Sequence, residues 1–242
     1  MKKRIWELDA LRGIFMIAIM LFHLWYDLVY LFSLLELSTP FAKTLYDLGN
    51  DWGGTPFLLI SGLCATIGSK PVKRGLQVIG GGMIITAVTA GMYLLNFAGK
   101  GIIIYFGVLH CIGVCMLLWP LFKKLPTPAL LVLGIVMAAI GLYLKEYVRV
   151  DFPWLIPLGL VSRNFVSSDY FPLLPNLGYF LIGAAAGRTF YREKKTLLPN
   201  VNADNIVIRC LRFIGRNSLI FYLLHQPVFS GAISLWLMLN GR

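Results

Sequence analysis

Residues 9–28 read DALRGIFMIAIMLFHLWYDL. At roughly 1.5 Å of rise per residue, this apolar run is long enough as an α-helix to cross a hydrocarbon core about 30 Å thick. It nevertheless carries Asp9 and Arg12 near one end and His23 and Asp27 near the other. Ionisable side chains are costly in lipid, so within a span they face a partner helix or a polar cavity. The stretch therefore predicts a membrane helix with chemistry built into it.

The rest of the chain extends that reading. Of its 242 residues, 58% are hydrophobic and 14% are charged, where a soluble domain has about a quarter charged. Apolar runs over 9–31, 52–69, 75–96, 102–122, 127–144, 171–190 and 217–238 predict an all-α integral membrane protein. It would be a polytopic helical bundle of about seven transmembrane helices. No Ser- or Pro-rich linker divides the chain, so 1–242 reads as a single transmembrane domain. Most of the 22 lysines and arginines fall on the side that holds the N-terminus, which places that side in the cytoplasm. The opening MKKR resembles a signal peptide, but Asp9 and Arg12 interrupt its start and the apolar run is too long. An uncleaved first span is expected.

The net charge of +11 follows from the same topological bias, with no basic soluble face that would bind nucleic acid. The lipid bilayer is the expected partner, and an anionic ligand fits the basic side. Cys64, Cys111 and Cys115 fall in apolar runs as packing residues. No His or carboxylate spacing around them suggests a metal site. Gly80-Gly81-Gly82 allows close helix approach, as do Gly183 and Gly187. The latter pair suits a homodimer face and an internal contact equally. Two outer loops, 32–51 with Glu36, Asp47 and Asp51 and 145–170 with Trp154 and Arg163, suit re-entrant or interfacial segments. The basic segment 191–216 suits a cytoplasmic loop or a surface helix.

His23 and Asp27 are four apart and share a helix face. Asp27 is expected to accept a hydrogen bond from one ring nitrogen of His23, leaving the other as a base. The bland alternative is a solvated carboxylate at the interface. His110 and His225 also lie inside apolar runs. At 1.5 Å per residue, His23 sits roughly 16 Å above Arg12, His225 roughly 13 Å above Arg216, and His110 roughly 12 Å below Ile102. All three reach mid-membrane, which predicts a shared polar cavity. Of the three, His110 most readily serves packing. Arg12, Arg188 and Arg216 sit at cytoplasmic ends of spans. They serve topology by snorkelling, or form a basic mouth for phosphates. Asp169-Tyr170 opens the sixth run; Asp169 suits a helix cap and a contact to an acceptor group equally.

The stretches ELDALRGIFMIAIMLFHLWYDL, TPFLLISGLCATIG, YFGVLHCIGV, DYFPLLPNLGYFLIGAAAGR and FIGRNSLIFYLLHQPV resemble, in order, the heparan-α-glucosaminide N-acetyltransferase-like family of bacterial membrane proteins. The arrangement from LRG to His23 is also similar to that of membrane acyltransferases that O-acetylate surface polysaccharides. The resemblance implies an acyl-CoA-dependent O- or N-acetyltransferase in a bacterial cytoplasmic membrane. Its donor would be acetyl-CoA from the cytoplasm, and its acceptor a sugar, glycan or small amine outside. By that match, His23 stands at the reaction centre and His225 is the family's late histidine. Arg12 is the arginine of LRG, and Arg216 that of GRNS.

Residues and resemblance together give one expected mechanism. Coenzyme phosphates rest among Arg12, Arg216, Arg188, Lys73 and Arg74, with Asn217 and His110 counted in the coenzyme-binding set. His23, oriented by Asp27, takes the acceptor proton. His225 or Asn217 steadies the oxyanion, and an acetyl-histidine route is also open. Asp169 and Tyr170 meet the acceptor. A small proton-coupled transporter using His23 and Asp27 as a relay is the rival reading. A structural membrane subunit is a third.

Overall fold

The computed structural model describes residues 4–36 and 39–241. Lys2, Lys3 and Arg242, which contribute to the charge bias, lie outside the described residues, as do the side chains of Asn50 and Asp51. In chain order the helices are α1 (Trp6–Tyr26), α2 (Pro40–Trp52), α3 (Thr55–Ile67), α4 (Pro71–Leu94), α5 (Val108–Phe122), α6 (Thr127–Tyr147), α7 (Leu173–Phe190), α8 (Ile206–Arg216) and α9 (Ser218–Leu239). Each apolar run picked out above overlaps one of these helices along most of its length. The protein is an all-α, polytopic membrane protein. Four helical stretches, Trp6–Leu31, Pro71–Leu94, Thr127–Tyr147 and Ser218–Leu239, are long and apolar enough to cross a bilayer, while α3 and α5 are shorter apolar helices. Met83, Ile84 and Val88 on α4 and Val132, Ile135 and Val136 on α6 are exposed, as lipid-facing residues should be.

Two compact units form, one from Gly54–Leu197 and one from the residues on either side of it. In the flanking unit, α1 continues into a π-helical turn, Asp27–Leu31. Thr39 caps α2 by accepting the Ala42 N–H at 3.3 Å, with Pro40 preorganised at the first helical position. The basic inner segment becomes α8, whose N-terminus is capped by the Asn205 side chain accepting the Val207 N–H at 2.9 Å. Helix α8 lies against α1 at two glycines. A Cβ on Gly13 would stand 2.1 Å from the Leu211 carbonyl oxygen, and one on Gly215 would stand 1.8 Å from that of Asp9. Only glycine permits this approach, as at small-residue helix crossings generally.

In the Gly54–Leu197 unit, α7 packs between α3 and α6. A Cβ on Gly183 would meet the Leu59 carbonyl oxygen at 2.0 Å, and one on Gly187 the Thr66 hydroxyl at 2.6 Å. The glycine pair thus serves an internal contact. Gly82 abuts the His110 ring, whereas Gly80 has nothing within 4 Å of a built Cβ. The largest difference from the sequence reading lies at 102–122, where the helix begins only at Val108. Before it, Thr86 Oγ1 donates to the Ile104 carbonyl at 2.6 Å, and the Ile104 N–H donates to Thr89 Oγ1 at 3.2 Å. Those bonds hold the backbone extended, so His110 falls in the first turn of α5 and its estimated depth within a span does not apply. The loop over 145–170 holds a short 3-10 helix, Pro153–Leu158.

Candidate active site

Helices α1, α8 and α9 bring eight polar side chains into one seam. At its base, the buried Asp9 carboxylate accepts from Arg216 Nε at 3.0 Å and faces Arg12 at 3.5 Å. Two guanidiniums thus meet at one carboxylate. The glycines beside these arginines in LRG and GRNS are the ones at which α1 and α8 cross. The same short motifs thus supply both the close approach and the charges.

Higher in the seam, His23 Nδ1 lies 2.6 Å from His225 Nε2. The rings are 21° from parallel with centroids 4.8 Å apart, an edge-to-edge contact. His225 Nδ1 lies 2.7 Å from the Tyr222 carbonyl oxygen. A carbonyl only accepts, so in the neutral ring Nδ1 of His225 carries the proton and Nε2 keeps its lone pair. That lone pair accepts from His23 Nδ1–H, which leaves His23 Nε2 unprotonated. The tautomer of each ring is assigned from this chain of partners. The partner of His23 Nδ1 is therefore His225, and not Asp27 as the spacing suggested.

Asp27 is fully buried and takes its bonds from α9: Gln226 Nε2 donates to Oδ1 at 2.7 Å, and Ser230 Oγ donates to Oδ2 at 3.2 Å. The remaining amide oxygen of Gln226 is buried with no partner. Gln226 and Ser230 were not singled out in the sequence. Their signal was there: two polar residues four apart on one face of an apolar span.

The other predicted residues have local duties. Asn217 Nδ2 donates to the Phe213 carbonyl at 2.8 Å, at the joint between α8 and α9. In the Gly54–Leu197 unit, His110 Nδ1 accepts the Gly107 N–H at 3.2 Å and Nε2 faces Thr86 Oγ1 at 3.4 Å. One ring nitrogen is thus spent on the start of α5 and the other on α4. Asp169 Oδ2 accepts the Val108 N–H at 3.1 Å; it is a helix cap, but of α5 and not of the helix it precedes. Tyr170 donates to the Ile156 carbonyl at 2.7 Å, and burial pushes its phenol above the ordinary range. Arg188 donates to the carbonyls of Lys123 and Leu125 and stands 5.4 Å over the Trp119 ring. It caps the C-terminal end of α5. Lys73 and Arg74 are exposed in the first turn of α4.

Fold and site together define a polytopic helical membrane protein with a part-buried, hydrogen-bonded histidine pair. A family model described as heparan-alpha-glucosaminide N-acetyltransferase, catalytic, matches residues 4–227, and the chain belongs to that family. It is a transmembrane acetyltransferase. No curated protein and no solved structure matches the chain.

Proposed function

We propose that this acetyltransferase moves an acetyl group from cytoplasmic acetyl-CoA to a hydroxyl or amine of a sugar-type acceptor outside, with His23 as general base. The topology is seven spans with the N-terminus inside, in a bacterial cytoplasmic membrane. The observation that carries the chemistry is the hydrogen-bond chain from His23 Nδ1 through His225 to the Tyr222 carbonyl. It leaves His23 Nε2 free to accept a proton. As the acceptor oxygen or nitrogen bonds to the acyl carbon, its proton passes to Nε2. The carbon–sulfur bond then breaks, and the imidazolium returns that proton to the departing thiolate. His225 is a positioning residue, since its own nitrogens are both engaged. The two guanidiniums gathered at Asp9, Arg12 and Arg216, are the groups that would meet the coenzyme's phosphates at the cytoplasmic end.

The family's description names a glucosaminide, which makes a saccharide with a terminal glucosamine the first acceptor to try. Purified protein is mixed with acetyl-CoA and that saccharide, with the amine free or blocked, and acetylated product is followed by mass spectrometry. Product from the free amine alone assigns N-acetylation; product from both assigns O-acetylation. A folded His23→Ala protein should make either product far more slowly, and wild-type turnover by that variant rejects the base.

A further inference from the structure

We propose that a cavity inside the Gly54–Leu197 unit is a binding site for a phosphate group. The cavity has a volume of about 500 Å³ and is lined by Thr66, Thr127, Arg188, Thr189, Arg192 and Lys194, with Gly187 and Tyr191 completing it. Three cations, three threonine hydroxyls and one tyrosine therefore surround one space, and no acidic side chain is among its lining residues. The three cations favour an anion directly, and the start of a helix adds to them. Thr127 opens α6, and the backbone N–H groups of a helix's first turn point outward with no partner in the helix. Two threonines already donate their hydroxyl protons: Thr66 to the Leu63 carbonyl at 2.7 Å and Thr189 to the Ala185 carbonyl at 3.0 Å. Arg188 is locked onto the Lys123 and Leu125 carbonyls. It forms a rigid charged wall and does not reach out.

The mobile charges are Arg192 and Lys194, both exposed. Neither forms a salt bridge among the described residues. The adjacent acid, Glu193, is paired instead with Lys195 at 2.9 Å. That bond, with the Lys195 charge behind it and a smaller contribution from the Arg192 charge, holds the Glu193 carboxyl below its usual range. The carboxylate's hydrogen bond thus goes to Lys195, which does not line the cavity, while the Arg192 and Lys194 side chains do. A phosphate matches this set: its several oxygens take bidentate arginine bonds and a lysine charge together. A carboxylate would use fewer of the donors.

Two sources carry such a group, a coenzyme phosphate and an anionic lipid headgroup. The coenzyme source rests on the acyl-CoA donor proposed above; the lipid source does not. The test uses the full-length protein and the double substitution Arg192→Gln with Lys194→Gln. Both side chains are exposed, so folding should survive, and an unchanged unfolding temperature without ligand checks this. Calorimetry in detergent with inorganic pyrophosphate and with coenzyme A forms one arm. The other is native mass spectrometry with phosphatidylglycerol set against phosphatidylcholine. Loss of two charge-assisted contacts should weaken binding by about tenfold or more. Weakening of pyrophosphate and coenzyme A together assigns the coenzyme. Weakening of phosphatidylglycerol alone assigns the lipid. Weakening of pyrophosphate and not coenzyme A keeps the phosphate site and removes the coenzyme from it. Equal binding of every probe by both proteins overturns the proposal. Failure of the wild type to bind coenzyme A at all, with pyrophosphate or lipid still responding to the substitution, defeats only the donor reading.

Discussion

Replacing His23, His225 and both together by alanine tests whether the two rings act as one device. A general base typically contributes about 10²–10⁴-fold to the rate, so His23→Ala should fall by that order. His225→Ala removes the acceptor that stands 2.6 Å from His23 Nδ1. A donor left without a partner costs about 1–3 kcal/mol, which is roughly 5- to 150-fold in rate if it is felt in the transition state. His23 would also lose the bond that fixes its tautomer. If His225 acts only through His23, the double variant should be no slower than His23→Ala. His225→Gln gives a sharper check, because its side-chain carbonyl can accept from His23 Nδ1–H. It should recover part of what alanine loses. The assay is single-turnover transfer from radiolabelled acetyl-CoA, with thermal unfolding as the control for integrity. Losses that multiply in the double variant, or a His225→Ala protein slower than His23→Ala, would refute the assignment and move the chemistry to His225.

Two further substitutions test the fold around the site. Gly215→Val places carbon against the Asp9 carbonyl, 1.8 Å from a built Cβ; overpacking of about 1–3 kcal/mol should lower the unfolding temperature by several degrees, at about 2–4 °C per kcal/mol for a chain of this size. Gly80→Val, with nothing within 4 Å, should leave it nearly unchanged, and equal losses at the two sites would count against the α1–α8 crossing. Asp169→Ala should cost about 1 kcal/mol through the lost cap of α5, with the acceptor KM unmoved. A raised KM at unchanged unfolding temperature would instead make Asp169 an acceptor contact.

Hydropathy found the apolar helices because a span must bury a fixed length of backbone in lipid, and that demand is written along the chain. It failed at 103–107, where the backbone around Ile104 is held out of the helix by Thr86 and Thr89 from another helix, a partner that no local pattern announces. The same limit governs the site. Helical spacing showed that His23 and Asp27 share a face, but a face is not a partner. Stacked along one helix, each side chain points outward and is met by whatever the neighbouring helix presents at that height. For His23 this is His225, and for Asp27 it is Gln226 with Ser230. The basic mouth was half legible: Arg12 and Arg216 do converge, yet on a carboxylate, Asp9, that the sequence showed only as an interruption of the span.

The register of the seam explains why the late motif contains a helix break. Asp9 and Asp27 are eighteen residues apart, about five whole turns at 3.6 residues per turn, and His23 falls on nearly the same line. Helix α1 therefore presents its polar groups in a single row. On the other side, Arg216 and His225 are nine residues apart, which on one unbroken helix is about two and a half turns, opposite faces. A continuous helix could not offer both to α1. The chain solves this at Asn217, which stands at φ −106°, ψ 19° between α8 and α9. Its N–H and side chain both bond back to the Phe213 carbonyl. The break re-aims α8 so that Gly215 can lie on Asp9 and Arg216 can reach its carboxylate, while α9 restarts in phase for His225, Gln226 and Ser230. The asparagine of GRNS is thus required by geometry before any role in chemistry: it joins the charged base of the seam to the histidine pair above it.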